Sequence, residues 1–442
     1  MPRLNQAGFP RRLADVAINR RRLVQGAAAG ALAPALLQGR PAAAQDLSGE
    51  ITVWTWPDND KTFEKTIPIF QTIYPDVTVK VEAFGNDTYH DKLLTALVSG
   101  SGPDVAMVEI GNVAKFKDKP GFVDLAQEPY NAAQFAEGYV DFAWGYVSDQ
   151  ESGRVFTLPK NTGPGGLFYR RDIFEEVGLP TPPEEVQGLL ATWDDLITVG
   201  QEVVVEGERW MVSSPGQIFN AILAQAGVSY FNEAGELQLQ DPAYKAALEY
   251  VQQATEAGII SPFDDWSPEW GASLESGGVA VHLWGNWFGG LLKSVYAQGA
   301  EGKWGVAAAP AYNEVSAYNS GGDFIGILEA SDKKDIGWAF VQFVTQDPES
   351  LKTMYLENDL YPAWHAVLTA EWMNTEDPYY AGQNVNTVFS VVSEQMQPPI
   401  TNPNDPVVNQ ALDDALISVA EGKATVDEAL AQAEEQIKSS IG

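Results

Sequence analysis

Apolar positions from residue 50 onward come in short runs whose spacing alternates between two periods. Glu50–Thr55 (EITVWT) is a compact apolar run and predicts a strand. Lys61–Tyr74 puts Phe63, Ile67, Phe70 and Ile73 or Tyr74 on one face, which is helical spacing. Val77–Ala83 (VTVKVEA) alternates strictly and predicts a second strand. Tyr89–Ser99 is helical again, and Gly100-Ser101-Gly102-Pro103 ends it. Asp104–Glu109 (DVAMVE) predicts a third, buried strand. Strand, helix, strand, helix, strand implies an α/β fold with a parallel sheet covered by helices. In such sheets ligands sit beyond the carboxyl ends of the strands.

The middle of the chain keeps this rhythm with more helix. Gly166–Arg170 predicts a strand, and Asp172–Val177 a helix closed by Gly178. Leu158–Gly165 is rich in turn formers and reads as a loop, a place for a hinge or for a hydroxyl donor in Lys160. Thr192 caps a helix that opens Trp193-Asp194-Asp195. Pro242–Ala257 and Asp335–Thr345 are amphipathic helices. Thr425–Ser439 begins with a capping box, Thr425 with Glu428. No tandem repeat and no long Gly, Ser or Pro linker interrupts the pattern.

Composition narrows the chemistry. The 442 residues are 45% hydrophobic and 20% charged, as folded domains are. The absence of cysteine excludes disulfides, thiolate metal sites, a thiol nucleophile and a thioether lipid anchor. His90, His282 and His365 stand far apart, so no local His metal motif exists. Residues 1–44 carry seven arginines and one acid, while the rest holds 20 basic and 59 acidic side chains. So acidic a body repels nucleic acid phosphates and anionic lipid. Arg20-Arg21-Arg22, a short apolar stretch from Gly26 to Leu37 and Ala42-Ala43-Ala44 read as a secretory signal cleaved near Ala44. Its paired arginines resemble a twin-arginine signal. The expected product is periplasmic and not a lipoprotein. No later stretch reaches 18 apolar residues.

The residues able to carry chemistry are aromatic and amide. Trp54 and Trp56 end the first strand and are followed by Asp58 and Asn59. Flat aromatic faces beside amides and carboxylates suit a sugar ring and its hydroxyls. The mixture returns at Trp284-Gly285-Asn286-Trp287, at Gly322-Asp323-Phe324 and at Tyr361-Pro362-Ala363-Trp364. Trp287→Ala is expected to abolish binding and leave the fold intact. Glu109 with Asp323 is the carboxyl pair that a glycosidase would need. No Walker loop, dinucleotide fingerprint or G-x-S-x-G is present.

Several stretches, in order, resemble extracellular solute-binding proteins of family 1, the carbohydrate receptors of ABC importers similar to maltose-binding protein. They are Tyr89–Val105 (YHDKLLTALVSGSGPDV), Leu158-Pro159 with Leu167–Arg170, and Leu179-Pro180 with Thr192–Asp195. Glu275–Trp287, Gly305–Pro310, Gly321–Ile327 and Ser331–Phe340 follow. The resemblance implies a two-lobed periplasmic-binding-protein fold of type II, each lobe a mainly parallel sheet flanked by helices. Lobe 1 would hold 45–160 and 323–370, lobe 2 165–320 and 377–442, with hinge crossings at 161–164, 321–322 and 371–376. It implies a non-catalytic receptor, probing a neutral sugar or polyol by aromatic stacking, with no cofactor and no metal. Its partners would be the carbohydrate and the permease subunits of the inner membrane, with the receptor itself a monomer. Carried onto this chain, the ligand-binding positions are Trp54, Trp56, Asp58, Asn59, Asn86, Tyr89, Glu109, Asn112, Trp284, Asn286, Trp287, Gly322, Asp323 and Phe324. Lys160, Asn161 and Tyr361 join them from the crossing and the late aromatic cluster. Glu109 stands where maltose-binding protein has an aromatic residue, which argues against a long malto-oligosaccharide. Two alternatives stay open: a polyamine or other cation on the same fold, since tryptophan faces with carboxylates also suit a cation, and an extracellular glycoside hydrolase.

Overall fold

Nine strands among the described residues build one continuous sheet. The computed structural model describes residues 47–149, 152–398 and 400–441; the expected signal, 1–44, lies outside them. The strands are β1 (Gly49–Thr55), β2 (Val77–Ala83), β3 (Val105–Glu109), β4 (Leu158–Arg170), β5 (Trp210–Val212), β6 (Val279–Gly285), β7 (Trp304–Ala307), β8 (Asn319–Ile327) and β9 (Tyr361–Pro362). Their order is β2-β1-β3-β8-β4-β6-β5, and β7 and β9 also pair with β4. The outer pairs β1–β2, β1–β3 and β5–β6 are parallel, while every pairing made by β4 and β8 is antiparallel. The result is an α/β fold with a mixed sheet.

The first elements match their sequence pattern closely. The helix Asn59–Ile73 buries Phe63 and Phe70, the apolar spacing read above, together with Thr62 and Thr66. Phe70 meets Phe340 and Phe343 at 5.2 Å each. A phenylalanine so buried stabilises by ~1.5–3 kcal/mol. The helix Trp193–Val203 has the full capping box, Thr192 with Asp195, and Thr425 with Glu428 repeats it before Val426–Ile441.

Leu158–Gly165 departs from expectation. It is not a loop but the first part of β4, and the whole strand is buried. Its prolines and glycines sit at two register shifts against β8, between Pro159 and Asn161 and between Thr162 and Pro164. Bulges accommodate turn-forming residues inside a ladder. Composition alone reads such a stretch as a turn.

Three large hydrophobic clusters surround the sheet, and a small fourth joins Leu351, Met354 and Val367. One joins Val53, Phe63, Met107 and Phe340 around β1 and β3. Another joins Trp193, Met211, Ile222, Leu248 and Leu412 around β5 and β6. The third, with Phe168, Trp270, Trp304 and Tyr380, is aromatic. β4 contributes Leu158 to the first cluster, Leu167 to the second and Phe168 to the third. Backbone contacts accordingly group Leu47–Gly442 as one unit. Among the described residues no helix is long and apolar enough to cross a membrane.

Candidate functional site

A cavity of about 650 Å³ opens where the carboxyl ends of β1 and β3 meet the β4–β8 crossing. One wall comes from the segments after β1, β2 and β3: Trp56, Pro57, Asp58, Asn59, Asn86 and Glu109. Asn161 of β4 and Gly321, Gly322 and Asp323 of β8 form the floor. Trp266, Trp287, Leu291 and Tyr296 face them, and Asn358 and Leu360 close one end.

The first wall and the floor are tied by buried polar contacts. Lys160, fully buried beneath the cavity surface, donates to Asn59 Oδ1 at 2.9 Å. Asn59 in turn donates from Nδ2 to Asp323 Oδ2 at 3.0 Å. The amide thus bridges a buried cation and a buried carboxylate. Burial lowers the Lys160 ammonium to about 8, and the Asp323 charge opposes that fall. Asp323 is itself raised by burial, against the pull of Lys160, Asn59 and Asn161. Next to it, Glu109 is paired with Asp323 across β3 and β8. Burial is the main reason its carboxyl is pushed up to about 7; the hydrogen bond from the Gly111 amide pulls it back and the Asp323 charge pushes it further. Glu109 Oε2 accepts from the Gly111 amide at 2.9 Å and from Asn112 at 3.1 Å.

Trp56 is backed by rings, Tyr89 at 5.5 Å and His90 at 5.6 Å. Tyr89 is part of that support: its hydroxyl donates to the Met107 carbonyl at 2.8 Å. His90 Nε2 accepts the Glu109 backbone N–H at 3.1 Å, so the ring must stay neutral there. Burial, with the Lys115 charge, holds it down to about 4.

The facing wall is a tryptophan cluster. Trp266 stacks on Trp287 at 6.1 Å and 19°, and Trp284 meets each of them at 5.5 and 5.6 Å. The Trp287 indole N–H donates to the Ser320 carbonyl at 2.6 Å. That close seat requires a bare backbone: a Cβ on Gly321, at φ 111°, would stand 2.6 Å from the Trp287 nitrogen. Trp266 sits in the left-handed region at φ 71° with half its surface exposed.

Of the residues picked from sequence, the cavity brings together Trp56, Asp58, Asn59, Asn86, Glu109, Asn161, Trp287, Gly322 and Asp323. Others stand one layer back. Tyr89 and Lys160 are buried supports, Asn112 holds Glu109, and Trp284 packs behind Trp287. Four are placed away from the cavity surface. Trp54 lies within β1, where its indole donates to Glu82 and its ring meets Phe84 at 5.0 Å, whereas Trp56 lies beyond the end of the strand. Asn286 spends its amide on the Asp359 carbonyl. Phe324 is buried against Tyr146. Tyr361 is buried in the aromatic cluster. Trp287 also differs from the expected free-standing ring, because Trp266, Trp284 and Phe288 pack on it. Sequence reading missed Trp266, Tyr296, Lys61, Thr62 and the 358–360 turn. A lone tryptophan after Asp264-Asp265 was the available signal.

Two parallel-stranded ends, a crossing by β4 and β8, and a ring-lined cavity at that crossing make a site suited to holding a small solute. The sequence profile of the bacterial extracellular solute-binding protein family matches residues 54–349. The chain belongs to that family of non-catalytic ABC-transporter receptors. A lactose-binding protein of Rhizobium radiobacter is 29% identical over 378 residues, covering 82% of this chain and 86% of that protein. The ABC transporter associated binding protein of B. animalis subsp. lactis Bl-04, solved with β-1,6-galactobiose, superposes with TM-score 0.75 at 23% identity, over 88% of this chain and 96% of the other. The sugar-binding protein MalE of Xanthomonas citri gives 0.70 at 19% identity, over 88% and 97%. At these identities the two structures speak for the fold.

Proposed function

We propose that the cavity captures a neutral sugar of about disaccharide size and that the protein delivers it to the permease of an ABC importer. The observation that carries this reading is a single cavity lined by two indoles, Trp56 and Trp287, together with the amides of Asn59, Asn86 and Asn161 and the carboxyls of Glu109 and Asp323. Ring faces take the C–H side of a sugar, and Asn59, Asn161, Asp323 and Asn86 take its hydroxyls. A volume of about 650 Å³ lies in the range of small-molecule sites. The name of the Rhizobium radiobacter relative makes lactose the first ligand to try.

In this reading, residues 45–160 with 323–370 form one lobe and 165–320 with 377–442 the other. The lobes close on ligand by bending at 161–164, 321–322 and 371–376. Residues 1–44 export the chain through a twin-arginine-like signal cleaved near Ala44. The product works in the periplasm as a soluble monomer without a lipid anchor.

A cationic solute is the second reading, favoured by the three carboxyls Asp58, Glu109 and Asp323 on the lining. Their engagement speaks against it. Asp58 is paired with Lys61 at 2.6 Å, Asp323 receives Asn59 above Lys160, and burial pushes the Glu109 carboxyl up to about 7, which disfavours its charged form. A hydrolase reading has less: Glu109 and Asp323 are neighbours on paired strands, not carboxyls across a bond.

A thermal-shift screen of the exported chain tests the proposal. A sugar at ~100 times its dissociation constant stabilises by ~2.7 kcal/mol. A shift with neutral disaccharides is expected. A shift with polyamines alone would replace the sugar by a cation.

A further inference from the structure

The helix Phe288–Leu291 runs straight into a π-helical turn, Leu292–Tyr296. Gly290, Leu291, Ser294 and Tyr296 of this segment line the cavity, and Lys293 does not. Lys293 Nζ instead donates to Asp359 Oδ1 and to Asp377 Oδ2, each at 2.9 Å. It also lies 2.7 Å from the second Asp359 oxygen. All three side chains are at most about a quarter exposed. Burial lowers the Lys293 ammonium, but the two carboxylates outweigh it and the net direction is upward.

The three groups come from three segments. Asp359 is the left-handed cap, at φ 53°, of the helix Pro348–Asn358. That helix packs mainly on Asn59–Ile73 and more lightly on Phe288–Leu291, with its Tyr355 in the aromatic cluster of Phe288 and Tyr380; the larger contact puts it with the first lobe of the proposed division. Asp377 caps the turn Pro378–Tyr380 and belongs to the second lobe, as Lys293 does. The segments come close because Gly289 and Gly290 have no side chain. A Cβ on Gly289 would stand 2.8 Å from Asp359 Oδ2, and one on Gly290 2.7 Å from the Asn358 carbonyl carbon. Asn358 and Leu360, on either side of Asp359, line the cavity too. Lys293 therefore fastens one wall of the cavity to its end.

We propose that Lys293 is an interlobe latch, with a standing bond to Asp377 and a bond to Asp359 that forms only on closure. A lone lysine left without its partner in such a place is strongly unfavourable. The second carboxylate solves this, because Lys293 stays paired when Asp359 moves away. Asp359, once the lobes part, is returned to water. The latch then adds to ligand affinity and not to the stability of the ligand-free protein. Lys293 is a positioning residue: it acts on the solute through the segments it ties. The inference rests on the two-lobe reading of the proposed function.

Two double-mutant cycles test it in the full exported chain, with lactose, maltose and β-1,6-galactobiose as probes. Lys293→Gln is crossed with Asp359→Asn and, separately, with Asp377→Asn. Dissociation constants come from calorimetry and ligand-free midpoints from thermal unfolding. For Lys293 and Asp359, each single change is expected to weaken binding tenfold or more, with the double no worse than either. No coupling is expected in the ligand-free midpoint. For Lys293 and Asp377 the coupling appears in that midpoint. Lys293→Arg keeps the dissociation constant within threefold. If Lys293→Gln does not fold, Asp359→Asn decides alone, since Lys293 keeps Asp377: weaker binding at an unchanged midpoint supports the latch. Coupling of 293 with 359 in the midpoint and not in binding would overturn it. X-ray scattering of the wild-type protein separates the two ideas. Binding with contraction but no 293–359 coupling sinks the latch alone; no binding of any probe sinks the receptor reading and the latch together.

Discussion

On one side of the cavity Lys160, Asn59 and Asp323 hold one another in a chain of hydrogen bonds rooted in β4, the start of a helix and β8. On the other side Trp266, Trp284 and Trp287 lean ring on ring, with one hydrogen bond from Trp287 to a backbone carbonyl. The polar side is fixed by direction, since its donors meet their acceptors at hydrogen-bond distances, Lys160 reaching both Asn59 and, more weakly, Asn161. The aromatic side is fixed by close packing, and its outermost ring is half exposed. A receptor needs both: directional groups to choose hydroxyls, and rings that shift slightly as the solute enters.

The largest effect is expected at the polar side. Asp323→Ala leaves Asn59 and buried Lys160 without their carboxylate, and removing one partner of a buried charged set costs ~3–5 kcal/mol. Denaturant unfolding should show that loss, with Asp323→Asn well below it. Trp287→Ala comes next, with affinity lower by ~10–100-fold, as the loss of ~1.4–2.8 kcal/mol of ring contact implies. Because other rings pack on Trp287, a stability loss of about 2 kcal/mol accompanies it, which replaces the expectation of an untouched fold. Trp266→Ala should weaken binding about tenfold and leave stability within ~0.5 kcal/mol, as exposed sites do.

Glu109→Gln sharpens the comparison through pH. Glu109 is raised from 4.5 to about 7, chiefly by burial. The folded state then keeps a proton that the unfolded state has released, so ionised Glu109 opposes folding. That penalty is full above pH 7 and gone below about 4.5. Glu109→Gln should gain ~1–3 kcal/mol over the wild-type protein at pH 8, and the gain should vanish by pH 4.5. His90 works the other way: held near 4, it withdraws stability as pH falls below 6.5. Smallest of all is Trp54→Ala: its ring is engaged by Glu82 and Phe84 away from the cavity, and affinity should stay within about twofold.

The first three strands and the helices between them were legible because they follow simple periods. Val77–Ala83 was bounded to the residue by alternation, and Glu50–Thr55 and Asp104–Glu109 to within one. β4 was half missed, since a bulged, buried strand carries the residues of a turn. In the site, the segments after β1, β2 and β3 were found because topology puts strand ends at a ligand. Trp54 was misplaced: residues two apart share a strand face, but the strand ends at Thr55 and Trp56 turns into the cavity. Trp266 and the 358–360 turn escaped because only tertiary folding brings them to the cavity. Asn286 and Tyr361 resembled ligand residues, yet the Asn286 Nδ2 is spent on the Asp359 carbonyl and the Tyr361 ring is buried in the aromatic cluster.

The cavity is expected to take one neutral sugar between its polar and aromatic sides. Calorimetric titration of the exported chain with lactose, in parallel with Trp287→Ala, tests it most directly. One saturable site in the wild-type protein, weakened at least tenfold in the variant, is the predicted result. No heat with lactose, maltose or β-1,6-galactobiose, or equal affinity in the two proteins, would contradict it.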